Sequence, residues 1–463
     1  MVDTLGRQTA QGGGIDGGAP AGGRPSGPIF AGGQSDDATL AERLTSEIGR
    51  SPLGAFVALV LAALAVYVTV VIVVPASPSA FNLWSAGVGR FAAAAAGLAA
   101  LLCCHALDQA ADGPEASAEG SIRRLVAALA LTAAVLALLC VQRVLLAHYL
   151  GDPTVTLGGA IRAVLTDPTK WATAVAVGLV LAAVATPAGT ARRIARSLVA
   201  VRRRRVQVLS GVALIAPIAL ALLAVVFVRA LPTASPSAFV SGTPLVGIGE
   251  PLGSSALGNP LPYAIVSLAC VLVVALPLVF AWYGYAAERL ERRLSPLYVG
   301  VVIGAATALP SLALTEVVSG HYGISASGGI GVGLALIGDV ALAVLAVRLR
   351  QLSRGSLLPS AVLLATASVA FSIFAWWPQA TADRSVTGEK AYAWALVGAA
   401  VVVLFQASMW RRSAPEPAGT PGPDGAAGPA RRPAPPPPAY EVVVKDLGMP
   451  SETLQAPDAT KPS

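Results

Sequence analysis

The sequence predicts an all-α, polytopic transmembrane helical bundle of about ten spans. Three observations carry that expectation. Of 463 residues, 55% are hydrophobic and only 12% are charged, with a mean hydropathy of +0.69, whereas soluble domains carry about 25% charged residues. Ten apolar runs recur along the chain, each about long enough for a hydrocarbon core of about 30 Å at 1.5 Å per residue. The arginines sit in short blocks between these runs, which is how membrane orientation is encoded. That distribution argues against nucleic-acid binding despite the net charge of +7.

Residues 1–38, with "GGGIDGGAPAGGRPSGP", have nothing to pack and are expected to form a disordered cytoplasmic tail. They are too polar for a cleavable signal peptide. In 39–50, Leu40, Leu44 and Ile48 recur every four residues, and Asp36 or Asp37 can cap the start. With Arg43 and Arg50 alongside, this reads as an interfacial amphipathic helix, a polar linker being the alternative. The apolar runs follow near 53–74, 88–107, 125–147, 171–187, 206–230, 262–284, 297–318, 328–347, 357–377 and 391–410. The fourth is short and ends at "ATPAG". From 413 to 463 the chain is Pro- and Ala-rich, with "RRPAPPPPAY" favouring polyproline II in a disordered cytoplasmic tail.

Orientation follows from Lys and Arg in the short connections. One set of alternate connections holds nineteen, including seven arginines from Arg192 to Arg205; the other set holds seven. This places both termini in the cytoplasm of a multi-pass protein of the inner (plasma) membrane. The block "ARRIARSLVAVRRRRV" either fixes topology alone or also binds anionic lipid headgroups.

A duplication is expected within the bundle. "ASPSAF" occurs at 76–81 and again at 234–239, each after an apolar run. "GVGR" at 87–90 answers "GIGE" at 247–250, and "RVLLAHY" at 143–149 answers "EVVSGHY" at 316–322, in the same order. This divides the chain into a first four-span repeat (51–205), a second (206–347) and two added spans (348–412). Four spans per unit make the repeat parallel. At the aligned positions Arg143 meets Glu316, a candidate charge pair at the outer boundary, with separate snorkelling as the alternative. Pro217, Pro277 and Pro310 fall inside the fifth to seventh runs, as kinks that either open cavities or serve packing.

Catalytic and metal motifs do not emerge. Cys103, Cys104, Cys140 and Cys270 lack CxxC spacing and read as buried thiols, and His148 and His321 sit beside Tyr149 and Tyr322 as interfacial hydrogen-bonding groups. No Walker sequence or HExxH is present. No cofactor and no enzymatic activity are expected. Asp339 stands apart, as the eleventh residue of the apolar run Gly329–Val347. A carboxylate at that depth is costly enough to be a functional candidate. Gly331, Ala335, Asp339 and Ala343 form a small-residue stripe on which another helix could pack closely. Asp339 is therefore a candidate intramembrane proton or cation site, or else a neutral packing residue.

The Ala/Val/Leu-rich runs, the Gly- and Pro-rich tails and the "SAF" segments resemble the streptophobe type of actinobacterial (streptomycete) multi-pass integral membrane protein. The resemblance implies a hydrophobic helical bundle and carries over no functional residue. Two functions remain open: a secondary transporter or permease component, and a membrane scaffold or signalling protein recruiting partners through its tails.

Overall fold

The computed structural model describes residues 46, 48–73, 78–112, 121–149, 156–185, 189–230, 261–321, 329–376 and 382–410. The chain divides into two compact units, Met1–Ser413 and Ala414–Ser463, and the second lies outside the described residues. Among the described residues every regular element is helical. The helices are α1 (Pro52–Val73), α2 (Pro78–Asp112), α3 (Ser121–Tyr149), α4 (Leu157–Leu165), α5 (Pro168–Ala182), α6 (Thr190–Leu198), α7 (Arg204–Ala230) and α8 (Leu261–Leu278). α8 runs on through a π-helical segment (Val279–Ala286) into a last turn, Ala287–Leu290. Then follow α9 (Pro296–His321), α10 (Gly329–Leu352), α11 (Leu358–Trp376) and α12 (Ala382–Leu404).

Among the described residues six helical stretches are long and apolar enough to cross a membrane: Pro52–Val70, Gly87–Asp108, Arg124–Leu145, Pro168–Ala185, Arg204–Ala224 and Ile265–Leu290. Shorter apolar stretches lie in α9, α11 and α12, at Pro296–Leu309, Leu358–Ala370 and Ala393–Leu404. Burial sorts the six into two classes. The stretches in α2, α5 and α8 are 72%, 56% and 61% buried, against 22% for each of those in α1, α3 and α7. The first three form the interior and the others a rim that exposes large apolar side chains, Leu61, Val66, Leu129 and Ile215 among them. α2 earns its central place through Ala93, Ala96, Ala100, Cys103 and Cys104, small side chains that admit close neighbours.

Contacts between distant residues gather six chain positions at one end of the bundle. Tyr285 Oη donates to the Pro52 carbonyl at the start of α1, and Asp108 near the end of α2 receives the N–H of Thr190 in α6. Arg193 pairs with Glu288, Arg350 with Glu291, and the N–H of Leu357 donates to the Ser197 carbonyl. Met409, beyond α12, packs with Leu297 at the start of α9. The starts of α1, α9 and α11 and the ends of α2, α8 and α10 are therefore gathered at this end, with α6 among them. Arg193, Arg289 and Arg350 lie among these contacts.

The packing partners are alike in one part of the two expected repeats and unlike in another. α3 packs on α5, and α9 on α10. α1 packs on α2, whereas α7, its counterpart, packs chiefly on α11 and α12. The two last helices occupy the flank of the second set.

Three local features depart from the expected elements. The stretch before the fourth apolar run holds α4, started by Thr156, whose hydroxyl accepts the Gly159 N–H at 3.1 Å. The fourth run itself starts earlier, at Pro168, because Asp167 caps it and proline suits the first turn. The basic block contains α6, which buries Ile194, Ala195 and Leu198. Of the expected helix over 39–50, residues 46 and 48–50 are described and helical; Ile48 is buried in the core cluster that includes Phe56, and Leu40 and Leu44 lie outside the described residues.

Candidate functional site around the π-helical segment

Proline sets up the irregular part of α8. Pro277 has no N–H, so the carbonyl four residues earlier loses its helical donor. Two residues on, the chain adopts π geometry for Val279–Ala286, a form frequent at functional sites. All eight residues are buried. Pro277 is also a packing surface: a Cβ on Gly97 of α2 would lie 2.6 Å from the Pro277 Cβ. Of the two roles open to this proline in the sequence, packing is the one the geometry displays.

The aromatic side chains of the segment bind the bundle together. Phe56 of α1 meets Trp282 edge-on at 5.0 Å between centroids and Tyr285 at 5.4 Å. The Tyr285 hydroxyl donates to the Pro52 carbonyl at 3.1 Å. Arg289, one turn later, stacks its guanidinium 3.6 Å from the Tyr285 ring centroid and donates to the Tyr285 carbonyl at 3.0 Å. Such a cation over a ring is worth about 0.5–2 kcal/mol.

Asp339 lies on α10, which packs against the π segment. Its side chain is half-buried and within electrostatic reach of the fully packed Tyr283 phenol. Of the small-residue stripe, Ala343 meets α9, where a Cβ on Gly304 would lie 3.1 Å from the Ala343 Cβ. Ala343 is buried, but the side chains of Gly331 and Ala335 fall outside the described residues. The closest approach comes from α9, through Gly300 and Gly304. A Cβ on Gly304 would lie 2.6 Å from the Val340 Cα and 3.2 Å from the Asp339 carbonyl oxygen, and one on Gly300 2.8 Å from the Val344 Cα. α9 thus adds small residues of its own to this contact, in "GVVIG" at 300–304, a small-xxx-small pattern legible in the sequence.

A second polar cluster, also missed from the sequence, lies toward the opposite end of the bundle. Asp167 Oδ1 accepts the Thr169 N–H at 2.9 Å and the Thr169 hydroxyl at 2.7 Å, while Oδ2 lies 3.5 Å from Lys170 Nζ. Lys170 and Asp167 are both buried, as is Arg90 of α2. Arg90 and Asp167 both act electrostatically on Tyr67, whose ring stacks on Phe91 at 4.3 Å. In the sequence Arg90 and Lys170 counted toward orientation, and Arg90 also closed the repeated "GVGR", with nothing to join either to Asp167. The signal available was "DPTK", a cap, a proline and a lysine one turn on.

Arg143 is half-buried on α3, which packs on α5, α4 and α8. The Glu316 side chain, the second half of the expected pair, lies outside the described residues, as do those of His148 and His321. The four cysteines are free thiols. Among the described residues no group of three or more His, Cys, Asp or Glu side chains is arranged to hold a metal ion.

No protein-family model matches this chain, and neither a curated protein nor a solved structure matches it.

Proposed function

We propose that this chain is a multi-pass integral membrane protein of the plasma membrane, with about ten spans and both termini cytoplasmic. The exposed apolar rim of α1, α3 and α7 supports this, since contiguous apolar surface of that extent is unfavourable in water. Read as five out-and-back pairs, the helices make an even number of crossings. The arginine-rich end is then the cytoplasmic one by the positive-inside rule. Two parallel four-span units with two added spans remain the reading of the repeated sequences, the close α3/α5 and α9/α10 pairings being equivalent in it.

Within that architecture the chain acts as a secondary transporter or permease component, with Asp339 as its proton- or cation-exchanging group. The observation that carries this is a half-buried carboxylate in the middle of an apolar helix, beside a π-helical segment that supplies the Tyr283 phenol. Intramembrane carboxylates are costly and mark ion pathways. The second reading, a scaffold recruiting partners through its tails, would make residues 413–463 rather than Asp339 the functional element.

The test is ion flux in proteoliposomes loaded with a pH-sensitive dye, under an imposed potassium diffusion potential. Wild-type protein is expected to pass protons or the cation supplied, Asp339→Asn to lose that flux while unfolding at an unchanged temperature, and Asp339→Glu to retain part of it. Flux unaltered by Asp339→Asn would reduce the residue to packing.

A further inference from the structure

The seven arginines between α5 and α7 are not equivalent. Arg193 is engaged, its Nη2 2.7 Å from Glu288 Oε2, and Arg192 also has an interaction within the protein. α6 as a whole is bound inward through Ile194, Ala195 and Leu198. Arg202, Arg203, Arg204 and Arg205 are all exposed, and among the described residues their side chains make no hydrogen bond or ion pair.

Their position relative to α7 gives these four a direction. The exposed apolar residues of α7 are Val208, Val212, Ile215, Leu222 and Val226, among others, at spacings of one helix face. Arg204 and Arg205 lie four and three residues before Val208, so they continue that same face. Exposed Val199 and Val201 flank the group on its other side. At the same end Phe405 and Trp410 are exposed, as expected of aromatic side chains at headgroup level. Cationic side chains directly above a lipid-facing stripe are where the phosphates of the adjoining leaflet lie. An arginine guanidinium suits phosphate through paired N–H donors.

We infer that Arg202–Arg205 form a binding surface for the headgroups of anionic phospholipid in the cytoplasmic leaflet, whereas Arg192 and Arg193 of α6 serve the protein's own packing. This rests on the membrane reading above. The exposed charge and the lipid-facing register of α7 carry it, and electrostatic attraction to an anionic leaflet supplies the affinity.

The experiment is native mass spectrometry of the full chain, purified in detergent and mixed with phosphatidylglycerol and phosphatidylcholine of equal chain length. Wild-type protein should retain phosphatidylglycerol preferentially. Replacing Arg202, Arg203, Arg204 and Arg205 by Gln should cut that preference by about tenfold or more, and Arg193→Gln, at the arginine engaged by Glu288, should leave it intact. Should the fourfold variant fail to fold, Arg204→Gln with Arg205→Gln tests the lipid-facing pair, with a smaller loss expected. Equal retention of the two lipids by wild-type protein, or an unchanged preference in the variants, overturns the inference. So does displacement of the lipid by millimolar inorganic phosphate, which would mark a site for free anions. Failure of the membrane reading is distinguishable, because the chain would then retain neither lipid and stay soluble without detergent.

Discussion

The Asp108 carboxylate caps a helix that begins at Thr190, past three intervening α-helices along the chain. Its two oxygens each lie 3.0 Å from the Thr190 backbone nitrogen, and Oδ1 accepts the Thr190 hydroxyl at 2.9 Å. The residue before Thr190, Gly189, supplies no cap of its own and has φ = 115°, a conformation that favours glycine. A Cβ there would collide with the Asp108 carboxylate. One contact thus fastens α2 to α6. Asp108→Ala should lower stability by about 0.5–2 kcal/mol, the range for loss of a helix cap. Thermal unfolding of the detergent-purified protein checks this, and Asp108→Ala as stable as wild type would show that α6 is held without the cap.

Two ion pairs at the same end should respond very differently to truncation. Arg350 Nη1 lies 2.7 Å from Glu291 Oε1, with side chains only 9% and 19% exposed. Glu291 Oε1 has no directed hydrogen bond, so charge attraction dominates this pair. Leaving one buried partner uncompensated costs about 3–5 kcal/mol. Arg193 in the other pair is 66% exposed, where such pairs are worth about 0–1 kcal/mol. Glu291→Gln should therefore lower the midpoint of unfolding well below that of Glu288→Gln. Equal effects would contradict the burial seen at Arg350.

The α9/α10 contact makes a third prediction. Gly304→Val would force a side chain against the Val340 Cα, where even a Cβ would be 2.6 Å away. Overpacking of this kind costs about 1–3 kcal/mol. Gly333, which has nothing within 4 Å of its Cβ position, should tolerate alanine. Comparing unfolding temperatures of Gly304→Val and Gly333→Ala measures the difference, and equal tolerance would show that the two helices can separate without loss.

The long helices were legible because apolar length and arginine placement survive in any packing arrangement. The interior was less so. Whether a helix such as α2 is central or peripheral depends on which neighbours arrive, and its alanines fit either role. The π segment leaves no periodic trace, since Pro277 announces a missing donor but not how the chain will accommodate it. α6 was hidden inside a run of arginines, although Ile194, Ala195 and Leu198 already lay on one helical face. Asp339 was visible because a carboxylate within an apolar run is conspicuous. Asp167 and Lys170 were not, because charges beside a predicted span look like ordinary connections until burial brings them together.

The end of the bundle that gathers Pro52, Asp108, Thr190, Glu288, Arg350 and Met409 is assigned to the cytoplasm, and labelling of introduced cysteines tests that most directly. The exposed positions Arg196 and Arg354 lie at this end, and Thr156 and Arg162 lie at or beside α4, at the opposite one. A membrane-impermeant maleimide applied to intact spheroplasts should label Thr156→Cys and Arg162→Cys, but Arg196→Cys and Arg354→Cys only after lysis. Labelling of Arg196→Cys or Arg354→Cys in intact spheroplasts would contradict the orientation. Recovery of all four variants in the soluble fraction would contradict the membrane reading itself.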